Sequence, residues 1–366
     1  MIRRIFRILS ILLGFFLLLF AAAAAVVIHV NSPPGLAPRG SGDGSLRIEE
    51  DGSVTMDVRN GESALSVGKR LEEAGIIRSQ YFWYLLSRFE KEFIKTGAYR
   101  LELPASQIAI HSLLVSGHQL LHRVTVPEGA TLKKTALIFQ DAGICGAEAF
   151  LEAARDQSLL DHYRIPGKTL EGYTFPDTYL FPLNYPPRLA VQAMVDNFYT
   201  RLGELDEANP ELGILGLSPE ELYRRVRLAS IVEREYRVDG EAPLMAGVFF
   251  NRLRIGMALQ SCATVEYVIT EIQGKPHPEV IYTRDTEIRN PYNTYMNPGL
   301  PPGPICSPGL TALSAVFKPA ASDYLYFRLV DPAAGEHYFS RTLDDHIKAG
   351  VFYIKGNSSG GSTLPL

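Results

Sequence analysis

The chain opens on a nearly uninterrupted apolar run from Ile8 to Val30, broken only by Ser10, Gly14 and His29. About 20 apolar residues cross a bilayer as a helix, so the pattern predicts a transmembrane helix within residues 1–30. Arg3, Arg4 and Arg7 precede the run. That positive flank places the N-terminus in the cytoplasm and the rest of the chain outside the membrane. Ala21–Ala25 also offers small residues to a signal peptidase, so a cleaved signal is the alternative. The length of the run favours an uncleaved anchor.

Polarity then rises. Residues 31–50 begin Asn31-Ser-Pro-Pro-Gly35 and continue through Gly40-Ser-Gly-Asp-Gly-Ser45, a composition that predicts a flexible linker. The Gly- and Ser-rich tail, 356–366, predicts disorder.

Between linker and tail the amphipathic pattern repeats. Val58-Arg-Asn-Gly61 and Ala74-Gly75-Ile76 match Val126-Pro-Glu-Gly129 and Ala142-Gly143-Ile144 at a constant offset of 68 residues. Each copy predicts a short strand, a glycine turn, an amphipathic helix and a glycine stop. Leu65 and Leu71, with Val67 just off the stripe, supply the first apolar face; Leu132, Ala136, Leu137 and Phe139 supply the second. Two small α+β modules, 51–122 and 123–185, therefore precede a longer region, 186–355. The aromatic Leu170–Tyr179 stretch predicts a packed loop, and Pro187–Leu205 a helix. The fold class is α+β throughout.

Ser218-Pro219-Glu220-Glu221 is a capping box with proline in the first helical position, and its helix should run to about Tyr236. At 100° per residue Leu222, Val226, Ala229 and Glu233 share one stripe. Leu228, Ile231, Val232 and Glu235 share another. A carboxyl at the edge of an apolar stripe is kept protonated by desolvation, which is what a general acid needs. Periodicity does not decide which glutamate faces a site. The plain alternative pairs both with Arg227, Arg234 or Arg237 at the surface.

Downstream, Phe249, Phe250, Leu253 and Met257 read as core. Asn251 and Gln260 are amides flanked by apolar residues, suited to sugar hydroxyl and N-acetyl groups or to internal hydrogen bonds. Asn290-Pro-Tyr-Asn-Thr-Tyr295 and Gly299–Pro304 form a rigid Pro/Gly backbone carrying Tyr292, Asn293, Thr294 and Tyr295. Tyrosine faces there would stack on sugar rings. Tyr324–Phe327 and Gly335–Phe339 predict strands; His337 in the second reads as a satisfied core histidine, with a catalytic histidine as the alternative.

Charge changes the picture little. With 36 basic and 40 acidic residues the net charge is −4, which argues against a nucleic-acid surface. Three isolated cysteines, Cys145, Cys262 and Cys306, allow at most one internal disulfide. Cys262 and Cys306 are the favoured pair because both lie in the candidate catalytic region; unpaired thiols are the alternative. No cysteine or histidine spacing suggests a metal.

Taken in order, Leu228–Glu235, Asn251-Arg-Leu253, Gly256-Met-Ala-Leu-Gln260, Tyr292-Asn-Thr-Tyr295 and Gly299–Pro304 resemble the endolytic murein transglycosylase family. These are membrane-anchored enzymes that cut nascent glycan strands of bacterial peptidoglycan. The resemblance covers nearly the whole chain after the anchor. It implies a single-pass protein of the inner (cytoplasmic) membrane, a LysM-like module around Val124–Ile144, and an α+β catalytic domain. It also implies a single catalytic glutamate at Glu235, and Glu233 matches the first glutamate of the same motif in a supporting role. Glu233, Asn251, Gln260, Tyr292, Asn293, Thr294 and Tyr295 are then the substrate-binding residues, with no cofactor and no metal. Peptidoglycan glycan strands are the implied partner, with peptidoglycan synthases or division proteins as candidate neighbours and no nucleic acid. Where the family usually reads Asp-Pro-Thr-Val, this chain reads Cys262-Ala263-Thr264-Val265. A lytic transglycosylase tolerates that loss, because it needs one acid/base. A two-carboxylate muramidase does not, and it remains one alternative. A non-catalytic cell-wall-binding scaffold is the other.

Overall fold

The structure, a computed structural model, describes residues 2–35, 37–41, 44–59, 61–89 and 93–356. The tail expected to be disordered lies outside the described residues from 357 onward. The chain mixes helix and sheet and divides into two compact units: Met1–His122 with Phe181–Asn184, and Arg123–Leu180 with Tyr185–Leu366.

The first unit begins with helix α1, Ile2–Asn31. Its Ile11–Asn31 portion is long and apolar enough to cross a membrane, by length and composition. Strands β1 (Leu46–Ile48) and β2 (Val54–Val58) follow, then helices α2 (Ala64–Glu73) and α3 (Gln80–Phe89), strand β3 (Gly97–Leu101) and helix α4 (Gln107–Ser116). The strands form an antiparallel sheet in the order β1-β2-β3, with Met56 opposite both Leu46 and Tyr99. Part of the segment expected as linker thus enters the sheet, because Leu46 is buried. Alternation in β2 puts Val54, Met56 and Val58 inward against Val67, Leu71 and Trp83. Leu65, expected on the α2 core face, is exposed, and Val67 takes the inner position.

The second unit opens on β4 (His122–Thr125), α5 (Leu132–Asp141), α6 (Ala147–Ala153), α7 (Gln157–His162) and β5 (Thr178–Phe181), with β4 and β5 paired. The sequence repeat is a repeat of structure. Ser63 and Thr131 each cap their helix, accepting from Ser66 N and Lys134 N. Gly75 and Gly143 both take φ of +70°, a left-handed conformation that suits glycine. Ile76 N then bonds Leu71 O as Ile144 N bonds Phe139 O, both at 2.9 Å. Each copy runs from strand through helices back to a strand that pairs with the first. Leu137, expected in the second core face, is exposed; Leu132, Ala136 and Phe139 are buried.

The remaining elements are α8 (Pro187–Ala208), α9 (Pro219–Glu235), α10 (Ala242–Arg254), α11 (Cys262–Tyr267), α12 (Leu310–Phe317), β6 (Tyr326–Asp331), β7 (Glu336–Ser340) and α13 (Leu343–Gly356). Helix α9 is central to this unit. It packs on α10, α11 and α12 and buries Val226 and Leu228–Val232. Of the aromatic stretch expected as a packed loop, 170–179, Leu170 to Pro176 are buried, whereas Thr178 and Tyr179 enter strand β5. His337 lies in β7, its Nδ1 2.7 Å from Glu241 Oε2, and so is internally paired. Phe249 is fully buried, whereas Phe250, Leu253 and Met257 are only half-buried.

The disulfide expectation is corrected. Cys145, Cys262 and Cys306 are all free. Cys306 is buried with its thiol on Ser230 O at 3.2 Å, while Cys262 is exposed with Sγ 3.1 Å from the Tyr295 hydroxyl. The two thiols serve different packing environments.

Candidate active site

Helix α9 starts as its sequence requires. The Ser218 hydroxyl accepts Glu221 N at 3.2 Å and Pro219 occupies the first turn. The helix stops at Glu235, where Tyr236 turns extended. Both glutamates of the motif therefore sit in its last turn.

Neither makes the surface arginine pair that was the plain alternative. Arg227 donates to Pro301 O at 2.9 Å, and Arg234 donates to Glu266 at 2.6 Å. Glu233 Oε2 accepts Gly309 N at 2.9 Å, which fastens the end of α9 to the residue before α12. Burial pushes its carboxyl up to about 7; the Gly309 N–H opposes that shift and the Glu128 charge adds to it.

Glu235 is half-buried, and Oε1 accepts the Ser261 hydroxyl at 2.5 Å. Burial pushes this carboxyl, too, up to about 7. The Ser261 hydroxyl and the charges of Arg234 and Arg252 favour the carboxylate, and Glu266 disfavours it. The balance leaves a group able to give up a proton and take one back near neutral pH. The pKa does not separate the two glutamates, but their neighbours do. Glu233 is tied to a backbone amide, and Glu235 to a hydroxyl flanked by the exposed residues Gln260 and Cys262.

Ser261 is held by a closed set of hydrogen bonds. Gln260 takes φ of +50°, an uncommon conformation for a side-chain-bearing residue. Its N–H donates to Thr294 O at 3.2 Å, and Ser261 N donates to Thr294 Oγ1 at 3.0 Å. Thr264 Oγ1 donates to Ser261 O at 2.7 Å and lies 2.9 Å from Thr294 Oγ1. Two segments 30 residues apart are thereby locked, and the Ser261 hydroxyl is aimed at Glu235.

The other sequence candidates divide by what their side chains touch. Asn293 is buried, donating to Thr286 O and Ile288 O at 2.9 and 2.8 Å. Thr294 belongs to the lock just described. Asn251 donates to Ser322 O and Tyr324 O at 2.8 and 3.0 Å, which fixes the approach to β6. Tyr292 packs on Tyr267 with centroids 5.1 Å apart. Gln260 is exposed, and Tyr295 is half-buried with its hydroxyl at Cys262. Glu235, Gln260 and Tyr295 come together with Ser261; Asn251 and Asn293 hold backbone around them.

Sequence reading missed Ser261, Arg252 and Glu266. Arg252 is buried, donating to Leu259 O and Leu325 O, both at 2.6 Å, and its charge reaches Glu235. Glu266 Oε1 receives Arg234 at 2.6 Å and lies 3.0 Å from His277 Nε2. A buried arginine inside the Asn251-Arg-Leu253 motif was the available signal for the first of these, since such a charge needs partners.

The model of the YceG-like family matches residues 56–350. The endolytic murein transglycosylase of Bacillus subtilis is 29% identical over 334 residues, 85% of this chain and 88% of the relative. That of Streptococcus pneumoniae is 28% identical over 326 residues, 80% of this chain but 57% of the longer relative. A YceG-like protein from Listeria monocytogenes of known structure aligns with a TM-score of 0.54 and 28% identity, over 81% of this chain and 98% of that one.

Proposed function

The chain belongs to the YceG-like family, and from that premise we propose that it cuts peptidoglycan glycan strands internally by non-hydrolytic cleavage, with Glu235 as its one acid/base. It is an enzyme of the lytic transglycosylase kind for which its curated relatives are named. The observation that carries the mechanism is the half-buried Glu235 carboxyl, pushed up to about 7 and bonded to Ser261.

Protonated Glu235 donates to the glycosidic oxygen between N-acetylmuramic acid and N-acetylglucosamine as that bond breaks. The charge left on the anomeric carbon is oxocarbenium-like. The muramoyl 6-hydroxyl then attacks that carbon and closes a 1,6-anhydro ring, and its proton passes to the Glu235 carboxylate. The enzyme returns to its starting protonation state with no water consumed. Ser261 steadies the carboxylate between the two transfers. Gln260, Tyr292 and Tyr295 meet the sugars, while Glu233, Asn251, Asn293 and Thr294 hold the walls that place them.

A hydrolase would need a second carboxyl to activate water. Glu266 acts electrostatically on Glu235, but its Oε1 is engaged by Arg234 and His277. Digestion in water labelled with heavy oxygen separates the readings. A transglycosylase leaves the new ends unlabelled; label at each new end would make the enzyme a muramidase and assign Glu266 a catalytic part.

The apolar α1 supports a single-pass anchor, and its arginine flank supports a cytoplasmic N-terminus with the enzyme outside. We assign the strand and first helix of the second copy, around Val124–Ile144, as a LysM-like glycan-binding module, and we propose peptidoglycan synthases or division proteins as neighbours at the same membrane.

A further inference from the structure

Helix α3 is apolar on the side the first unit buries and also on the side it does not. Trp83 fills the core. On the opposite side Tyr81, Leu85 and Phe89, spaced four residues apart and so stacked along one face, are 71%, 50% and 80% exposed. Phe93, just beyond, is 89% exposed, and Arg88 is exposed within the same stretch. Scattered apolar residues on a surface are ordinary; a contiguous row of large ones marks an interaction surface.

The start of α3 is tied to the end of α1. Arg78, two residues before α3, donates from Nε to Ser32 O at 3.1 Å and from its terminal nitrogen to Pro33 O at 2.8 Å. Ile108 N, in the first turn of α4, donates to the Asn31 side chain at 3.0 Å. Gln107 joins the two helix starts, accepting Arg78 N and Ser79 N and donating to Ser79 O. The portion of α1 apolar enough to cross a membrane, Ile11–Asn31, has 21 residues, about 32 Å of length against a hydrocarbon core of about 30 Å. Its last turn, and the residues bonded to it, therefore emerge at headgroup depth.

We propose that the exposed face of α3 rests on the outer surface of the bilayer that α1 crosses, with Tyr81, Leu85, Phe89 and Phe93 in the interfacial zone and Arg88 toward the phosphates. This rests on reading α1 as a membrane span. Exposed aromatic rings are the side chains that partition to the interface. The charges beside them, Arg88 and Lys91 against Glu90 and Glu92, cancel, so the rings carry the contact. The hydrogen bonds to Ser32 and Pro33 leave the start of the helix no distance from the interface. The first unit is then held on the membrane surface by two contacts, one spanning and one lying flat.

The test is photocrosslinking of the full chain in vesicles of mixed zwitterionic and anionic phospholipid, with a benzophenone side chain placed in turn at positions 17, 69 and 89. Leu17 lies inside α1, and Lys69 is an exposed control on α2. Lipid adducts at 17 and 89, with 89 roughly tenfold above 69, are expected. Lipid at 17 but none above the control at 89 would keep the anchor and overturn the docking. A crosslink from 89 to a second copy of the chain, in place of lipid, would also overturn it. Absence of lipid at 17 would remove the anchor and the docking together.

Discussion

The Ser261 hydroxyl donates to Oε1 of Glu235 at 2.5 Å, from a residue that follows Gln260 in a left-handed turn. A backbone in that region is maintained only when its surroundings determine it. Here the determinants are Thr294 and Thr264, both buried. The site is thus built from a helix end and a locked turn.

Removal of this hydrogen bond should move the pH dependence in a defined direction. The Ser261 hydroxyl stabilises the Glu235 carboxylate, so Ser261→Ala raises the pKa of Glu235 further above its ordinary 4.5. The proton is then kept to higher pH. The basic limb of kcat/KM, expected near pH 7 in the wild type, should shift upward by about one unit, with a loss of roughly tenfold at the optimum. A limb that stays in place while activity falls would show that Ser261 only supports the fold.

Asn251 separates holding a wall from holding a sugar. Its amide satisfies two backbone carbonyls and the residue is 8% exposed. Asn251→Ala should lower stability by about 1–3 kcal/mol, read as a lower denaturant midpoint, and leave KM for glycan strands within about threefold at temperatures where the variant is folded. A large rise in KM without loss of stability would place Asn251 on the substrate.

Glu171 should make stability fall with rising pH. Its carboxyl is buried against Leu132 N at 3.0 Å, and burial pushes it up to about 8 from an ordinary 4.5. The folded state binds this proton more tightly than the unfolded chain does. The contribution is therefore full below pH 4.5 and is lost as pH rises through 8. Glu171→Gln lacks that loss, so its Tm should gain on the wild type between pH 5 and pH 9. A constant difference across the range would contradict the buried proton.

Much of this is legible in the sequence. The Ser218 cap and Pro219 fixed the start of α9, and the 68-residue offset matched two strand-helix stretches whose helix caps and left-handed glycine stops coincide. Both depend on local backbone chemistry, which sequence carries directly. Ser261 was not legible, because its role comes from Thr294, distant in sequence, acting on a left-handed turn at Gln260 that side-chain patterns do not announce. The pairing of Cys262 with Cys306 failed for the same reason. Closeness to one candidate region said nothing of direction, and one thiol points into the core while the other lies at the surface.

The most direct measurement is the mass of the fragments that wild type and Glu235→Gln release from purified peptidoglycan. The wild type should give ends lighter than hydrolytic ones by one water, ~18 Da, with no new reducing ends. Glu235→Gln should lose activity by about 10²- to 10⁴-fold while keeping the wild-type melting profile. Anhydro ends produced equally well by Glu235→Gln would contradict the assignment of Glu235 as the single acid/base.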